Sequence, residues 1–263
     1  MTEARGNRFR KFSPDGDVLL DIGGEGAGPG QFQFPIGIAV DLDGYIYVTE
    51  ASVHRVQRFA PDGTVVASLG APGSGPGEFL SAMGIAVSDA REVFVADVGN
   101  HRVQVFDREG AFLRQWGGIG SGPEQLNNPI GVQMGSDGNV WVVDSRNRRV
   151  HQFSQQGELV RLFDDVGPGP QIVSVNAASK FNVSSPWAEG RVRHFDANGE
   201  LLGYIGNSVT GAELAKMSSD DVQRVAELSL LSGLHGTVTD HSGALYLADT
   251  ANGIVRKFAP VEG

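Results

Sequence analysis

The chain has no cysteine among its 263 residues, which excludes disulfide bonds and thiolate chemistry. It also lacks any apolar run near the roughly 18 residues of a membrane-spanning helix. Its net charge of −10 argues against a general nucleic-acid or anionic-membrane surface. It contains no nucleophile elbow, phosphate-binding loop, zinc-protease helix or dinucleotide fingerprint. We therefore predict neither nucleic-acid binding nor membrane insertion.

Glycine is abundant, at 37 residues, and one segment is repeated. The segment reads VTEASVHRVQRF at 48–59, VADVGNHRVQVF at 95–106 and VVDSRNRRVHQF at 142–153. Four phenylalanines mark one point of this repeat at a spacing of 47 residues: Phe12, Phe59, Phe106 and Phe153. A fixed period of this length indicates stacked copies of one supersecondary unit.

Each unit contains four short runs rich in β-branched and aromatic residues, separated by glycine or Asp-Gly turns. In the first full copy they are GIAVD, YIYVTE, RVQRF and TVVASL. Such runs predict four antiparallel strands, the blade of an all-β propeller, with the apolar first run innermost. We predict a single domain over 1–263, with a partial blade at 1–23 and repeats at about 35–70, 82–117, 129–163, 171–206 and 234–263.

These motifs resemble the NHL repeat family, whose blades carry a Gly-x-Phe loop, a P-x-G-I-A-V-D run and a D-x-x-N-x-R-V turn. The pattern is closest at Pro35, Gly37 to Asp41, Asp97, Asn100, Arg102 and Phe106. The resemblance implies a propeller, usually six-bladed. It implies no single function, because the family includes interaction domains, sensor domains and a few lyases.

The number of blades is open from the sequence. Residues 1–8 align without a gap to residues 48–55, so the chain begins at the end of a second strand. We predict a six-bladed type with an incomplete first blade. The alternative is a five-bladed ring closed by the N-terminal fourth strand. Localisation stays open as well: cytoplasmic as given, or secreted or part of a larger chain if the N-terminus is truncated.

Two segments depart from the repeat. In the fourth repeat the glycine signals are missing, and Pro186 stands where the acid at the end of the second strand is expected. Between the fourth and fifth repeats, residues 207–234 are longer than the equivalent loops. Ser218, the acids that follow it and Gly233 have the spacing of helix caps around an apolar stripe. We predict an inserted amphipathic helix at about 211–231.

The acids at the ends of the second strands are the first candidate site. A ring of carboxylates can bind a cation, but a structural role is favoured because four of the five acids recur with an arginine five residues later. The acids are Glu3, Glu50, Asp97, Asp144 and Asp249.

Two histidines, His54 and His101, share one repeat position and are interpreted as structural. The histidines of the third strands, His151 and His194, are interpreted in the same way.

His235 breaks the pattern at a different point. It occupies the position of Ile36, Met83 and Ile130, immediately before the glycine of the first strand and near the mouth of the central channel. Asp249 lacks the usual arginine, since Ile254 takes that position. No catalytic or metal constellation is predicted; His235 and Asp249 are the catalytic candidates and His235 the metal candidate. The predicted binding face contains His235, Asp249, Asn252, Asp144, Asp97 and Glu50.

The leading functional hypothesis is a non-catalytic module that presents its loops to a protein, a peptide or a small ligand, without a cofactor. The alternative is a metal-dependent propeller lyase or lactonase, with zinc or calcium at the mouth of the channel. Self-association through an open blade edge is a further prediction.

Overall fold

The computed structural model describes residues 1–13, 15–185, 191–206, 234–239, 245–249 and 254–258. For residues 191, 205–206 and the last three strands, only the backbone is described. The fold is an all-β propeller, in which each blade is an antiparallel sheet with its strands in chain order.

The first half of the chain forms one partial sheet and two complete blades. The N-terminal sheet contains β1 (Thr2–Glu3), β2 (Arg8–Phe12) and β3 (Val18–Gly23). Blade 1 contains β4 (Pro35–Val40), β5 (Ile46–Glu50), β6 (Arg55–Phe59) and β7 (Val65–Leu69). A short parallel pair, β8 (Ala71–Pro72) and β9 (Glu78–Phe79), closes the loop that follows. Blade 2 contains β10 (Ala82–Val87), β11 (Val93–Asp97), β12 (Arg102–Phe106) and β13 (Phe112–Gly117).

The second half contains three more blades. Blade 3 contains β14 (Pro129–Met134), β15 (Val140–Asp144), β16 (Arg149–Phe153) and β17 (Leu159–Phe163). Blade 4 contains β18 (Ile172–Val175), β19 (Phe181–Ser185), β20 (Arg191–Phe195) and β21 (Leu201–Gly206). Blade 5 has three described strands, β22 (Leu234–Thr239), β23 (Leu245–Asp249) and β24 (Ile254–Phe258).

The prediction of a six-bladed type is corrected by this arrangement, because the described chain supplies five innermost strands. Strands β4, β10, β14, β18 and β22 each contact the next in series. The result is a propeller of about five four-stranded blades. The five-bladed alternative assigned the N-terminal fourth strand to blade 5, whereas β3 pairs with β2 in a sheet of its own.

The predicted helix at 211–231 lies outside the described residues. Within the described part of the chain, the helical structure is a single 3₁₀ turn at Val98–Asn100. No described helix has the length and hydropathy needed to cross a membrane.

The core lies between neighbouring blades, where the phenylalanines of the repeat meet those of the glycine-rich loops. The ring of Phe59 lies 5.0 Å from that of Phe9 and 5.8 Å from that of Phe32. One interval further along, the Phe79 and Phe106 rings are 5.5 Å apart. Burial of these large rings anchors each loop in the junction between two blades.

Candidate functional site

One face of the propeller, here called the loop face, contains the starts of the innermost strands, the ends of the second strands and the starts of the third strands. The strand register places them there: Pro35 pairs with Glu50, and Glu50 pairs with Arg55. The glycine-rich loops at 24–32, 71–79 and 118–126 lie on the same face, and each is closed by a parallel pairing between its ends.

The expected ion pair between the repeat acid and the repeat arginine is present in the N-terminal sheet and in blades 1 to 3. The distance from the arginine Nε to the carboxylate is 2.6–2.8 Å for Glu3–Arg8, Glu50–Arg55, Asp97–Arg102 and Asp144–Arg149. In the last three pairs the acid side chain has no exposed surface.

Each repeat arginine of blades 1 to 3 also binds the glycine-rich loop that precedes its blade. Arg102 donates from Nη1 to the Ser74 carbonyl at 2.9 Å, and from Nη2 to the Gly75 and Glu78 carbonyls at 2.8 Å. A bond to the Gln115 side chain completes the five N–H donors of the guanidinium. Arg55 and Arg149 bind their loops in the same way.

The carboxylates of Glu50, Asp97 and Asp144 bind the residue that follows each loop. The backbone N–H groups of Gln33, Leu80 and Asn127 donate to them at 2.7–3.0 Å. These three members of the predicted binding face therefore lie beneath the loop face. Their carboxylate oxygens are hydrogen-bonded to other groups of the protein.

Asp144 has an additional partner, His151, that sequence reasoning missed. Both side chains are fully buried, and His151 Nε2 lies 3.2 Å from Asp144 Oδ2. Burial alone raises the pKa of Asp144, but bonds from His151, Asn147, Arg149 and the Asn127 N–H outweigh it and hold that pKa below its usual value. Blades 1 and 2 have glutamine at this repeat position, Gln57 and Gln104. The change to histidine in blade 3 was the feature of the sequence that could have indicated this contact.

His54 and His101 link neighbouring blades rather than filling a surface position. Both have a left-handed backbone with φ of 57°. His54 Nδ1 accepts the Ser81 N–H at 2.9 Å, and His101 Nδ1 accepts the Asn128 N–H at 3.0 Å. The segments 33–34, 80–81 and 127–128 are here called the pre-strand segments. In each of them the second N–H is thus accepted by a side chain of the preceding sheet.

The pre-strand segments also expose apolar side chains, which sequence reasoning missed. Phe34 and Leu80 are each 48% exposed. Phe34 has φ of +61°, a conformation that bulky side chains rarely adopt. The equivalent positions in the next two blades hold the polar residues Ser81 and Asn128. An aromatic residue at this repeat position was therefore the feature of the sequence that could have indicated the exposed side chain.

Blade 4 lacks the acid, and its register corrects the sequence alignment. Ser185 pairs with Arg191 as Asp144 pairs with Arg149, so Ser185 rather than Pro186 occupies the acid position. The hydroxyls of Ser184 and Ser185 are buried, and neither has a hydrogen-bond partner within the described part of the chain.

His235 lies where the sequence places it. Leu234 pairs with Asp249 as Pro35 pairs with Glu50, and the register shifts between Leu234 and Gly236 as it does at the start of β4. The backbone therefore puts His235 and Asp249 on adjacent strands at the loop face. Asn252 lies outside the described residues. Among the described residues, no group of three or more acids and histidines is placed to bind a metal.

The NHL repeat family matches the chain at residues 32–59, 79–106 and 126–153. Each segment runs from the last residue of a glycine-rich loop to the end of the third strand in blades 1 to 3. This chain is an NHL-repeat β-propeller. No curated protein sequence matches it.

Solved structures resemble the NHL-repeat propeller in fold. A streptogramin B lyase has a TM-score of 0.65 at 11% identity, covering 100% of this chain and 79% of that one. The nidogen/laminin complex has a TM-score of 0.64 at 17% identity, covering 93% and 84%. A catalytically inactive virginiamycin B lyase from Staphylococcus aureus, with quinupristin, has a TM-score of 0.58 at 14% identity, covering 87% and 70%. At these identities the likeness concerns the fold alone.

Proposed function

We propose that this NHL-repeat propeller is a non-catalytic binding module whose loop face binds a protein or peptide through apolar side chains. The observation that carries the proposal is Phe34. Its side chain is half-exposed while its backbone is held in a left-handed conformation. A bulky residue kept in a costly conformation at an exposed position is typical of functional surfaces.

The surroundings of Phe34 suit a binding anchor. Its N–H donates to Asn7 Oδ1 at 3.1 Å, and Gln33 beside it is bound by Glu50. The pre-strand segment of the next blade exposes Leu80, at the repeat position of Gln33. Because the loops beside these residues are fixed by arginines, binding would cost little ordering of the backbone.

The carboxylates favour binding over metal-assisted chemistry at blades 1 to 3. Glu50, Asp97 and Asp144 are fully buried, and each is bonded to an arginine and a backbone N–H. A carboxylate in this state would have to break an ion pair before it could bind a cation.

The test is a peptide library selected on the immobilised propeller, followed by affinity measurements on variants that borrow residues from other repeats. Phe34→Ser and Leu80→Gln copy Ser81 and Gln33, so both should fold. We expect each to weaken binding of a selected peptide by at least about tenfold. The matched control is Leu113→Gln, because Leu113 is 43% exposed on the outer strand β13. Equal affinity of all variants would contradict the proposal.

A metal-dependent lyase or lactonase is the second candidate, and it is favoured by the adjacent positions of His235 and Asp249 at the start of β22 and the end of β23. Zinc or calcium would be the metal. Stoichiometric metal in the purified protein, lost in both His235→Ala and Asp249→Asn, would support this function. Metal-free protein that binds selected peptides would favour the binding module.

A further inference from the structure

We propose that His54 and His101 are pH-sensitive staples, whose bonds to the pre-strand segments of blades 2 and 3 on the loop face form only while their imidazoles are neutral. Each imidazole belongs to the turn between the second and third strands of one blade. Each accepts an N–H from the segment that leads into the next blade, 27 residues away.

The geometry requires the neutral ring. An Nδ1 atom that accepts an N–H has no proton, so the ring carries its hydrogen on Nε2. A protonated imidazole has only donors and would oppose the Ser81 or Asn128 N–H. Imidazole is the side chain that changes charge between about pH 5 and 8. Protonation of either ring would therefore break its bond to the backbone N–H.

The N-terminal sheet provides a control within the molecule. Asn7 occupies the same repeat position, also with a left-handed backbone, and its Oδ1 accepts the Phe34 N–H at 3.1 Å. An amide oxygen does not titrate. The side chain that accepts the second N–H of the pre-strand segment is thus an amide in one case and an imidazole in the other two.

The charged groups on the elements beside the two histidines are bonded to other groups or exposed to solvent. On the turns that carry the histidines, Glu50 is bonded to Arg55 and Asp97 to Arg102. On the loop beside His54, the Glu78 carboxylate accepts the Gly75 N–H. On the loop and turn beside His101, the charged residues are the exposed Glu124, Arg146 and Arg148, and Arg148 lies 3.9 Å from Asp165. The Nδ1 bonds therefore depend on the protonation of the rings themselves.

Amide hydrogen exchange measured by NMR tests the proposal on the intact chain. Protection of the Ser81 and Asn128 amides, corrected for the chemical rate, should fall about fivefold between about pH 7.5 and pH 5.5. Protection of the Phe34 amide should stay constant. An equal fall at all three amides, or no fall at any of them, would overturn the proposal.

The variants His54→Asn and His101→Asn copy Asn7 and should keep the two amides protected at both pH values. His54→Ala and His101→Ala should leave them unprotected at both. If the asparagine variants lose protection at low pH as the wild type does, imidazole protonation is not the cause.

The effect of the staples on ligand binding rests on the proposed function, and a second measurement separates the two. Binding of a selected peptide should weaken at about pH 5.5 in the wild type but not in the double asparagine variant. If amide exchange depends on pH but peptide binding does not, the staples are supported and the placement of the binding site beside them is rejected.

Discussion

At the scale of the residue, the repeat arginine is the centre of the loop face. Arg102 neutralises a fully buried carboxylate and binds three loop carbonyls, so one side chain joins the ends of two strands to the loop before them. Lysine has three donors and no planar fork, so it cannot replace these contacts.

Arg102→Ala should destabilise the protein by about 3 kcal/mol or more, because it leaves Asp97 buried without its partner. Arg102→Lys should recover only a small part of this loss. Chemical denaturation measures both. The control is Arg91→Ala, which removes the exposed pair with Asp43 and should cost less than about 1 kcal/mol. Equal effects of Arg102→Ala and Arg91→Ala would contradict the role of the repeat arginine.

Two residues make stability depend on pH in the same direction. Burial, and then the positive charge of Lys180, lower the pKa of His194 below its usual value. Hydrogen bonds lower the pKa of Asp144 despite its burial. Since the folded state holds fewer protons than the unfolded state, both contributions are present above the unfolded pKa and are lost as the pH falls through the folded pKa.

The His194 contribution should therefore be lost first, below about pH 6.5, and the Asp144 contribution below about pH 4. His194→Gln copies Gln152, its equivalent in blade 3, and should flatten the upper part of the stability profile only. Denaturation midpoints between pH 8 and pH 4 provide the measurement. A His194→Gln variant whose stability still falls as steeply below pH 6.5 would contradict this assignment.

At the scale of the element, the strands could be predicted from the sequence more readily than the contacts of the loops. The four runs of each repeat have apolar periodicity and turn residues between them, so strand identity and order are local properties. The bonds that fix the loops are not local: Arg102 to Ser74 and His54 to Ser81 span 28 and 27 residues. The burial of His151 and the exposure of Phe34 also depend on neighbouring blades and were not predicted.

The glycine that follows β7 shows how closely a loop fits its blade. Gly70 has φ of +88°, and a Cβ at this position would lie 2.4 Å from the ring of Phe79. Gly70→Ala should cost about 2–4 kcal/mol, from backbone strain and from displacement of a buried ring. Gly203→Ala is the control, because a Cβ there meets nothing within 4 Å. Comparable melting temperatures for the two variants would contradict this packing.

At the scale of the whole molecule, repetition makes the chain a series of similar blades with departures towards the C-terminus. The acid and arginine recur through blades 1 to 3, whereas blade 4 has Ser185 in the acid position and blade 5 has Ile254 in the arginine position. Far-UV circular dichroism should show mainly β-structure. A helix-dominated spectrum would contradict the propeller.

The central claim is that the loop face is the binding surface. Hydrogen–deuterium exchange with and without a selected peptide tests it most directly. We predict that protection increases in the pre-strand segments 33–34 and 80–81. Protection should stay unchanged in the opposite turns at 41–44 and 88–91. Protection confined to those opposite turns or to the outer strands would contradict the account.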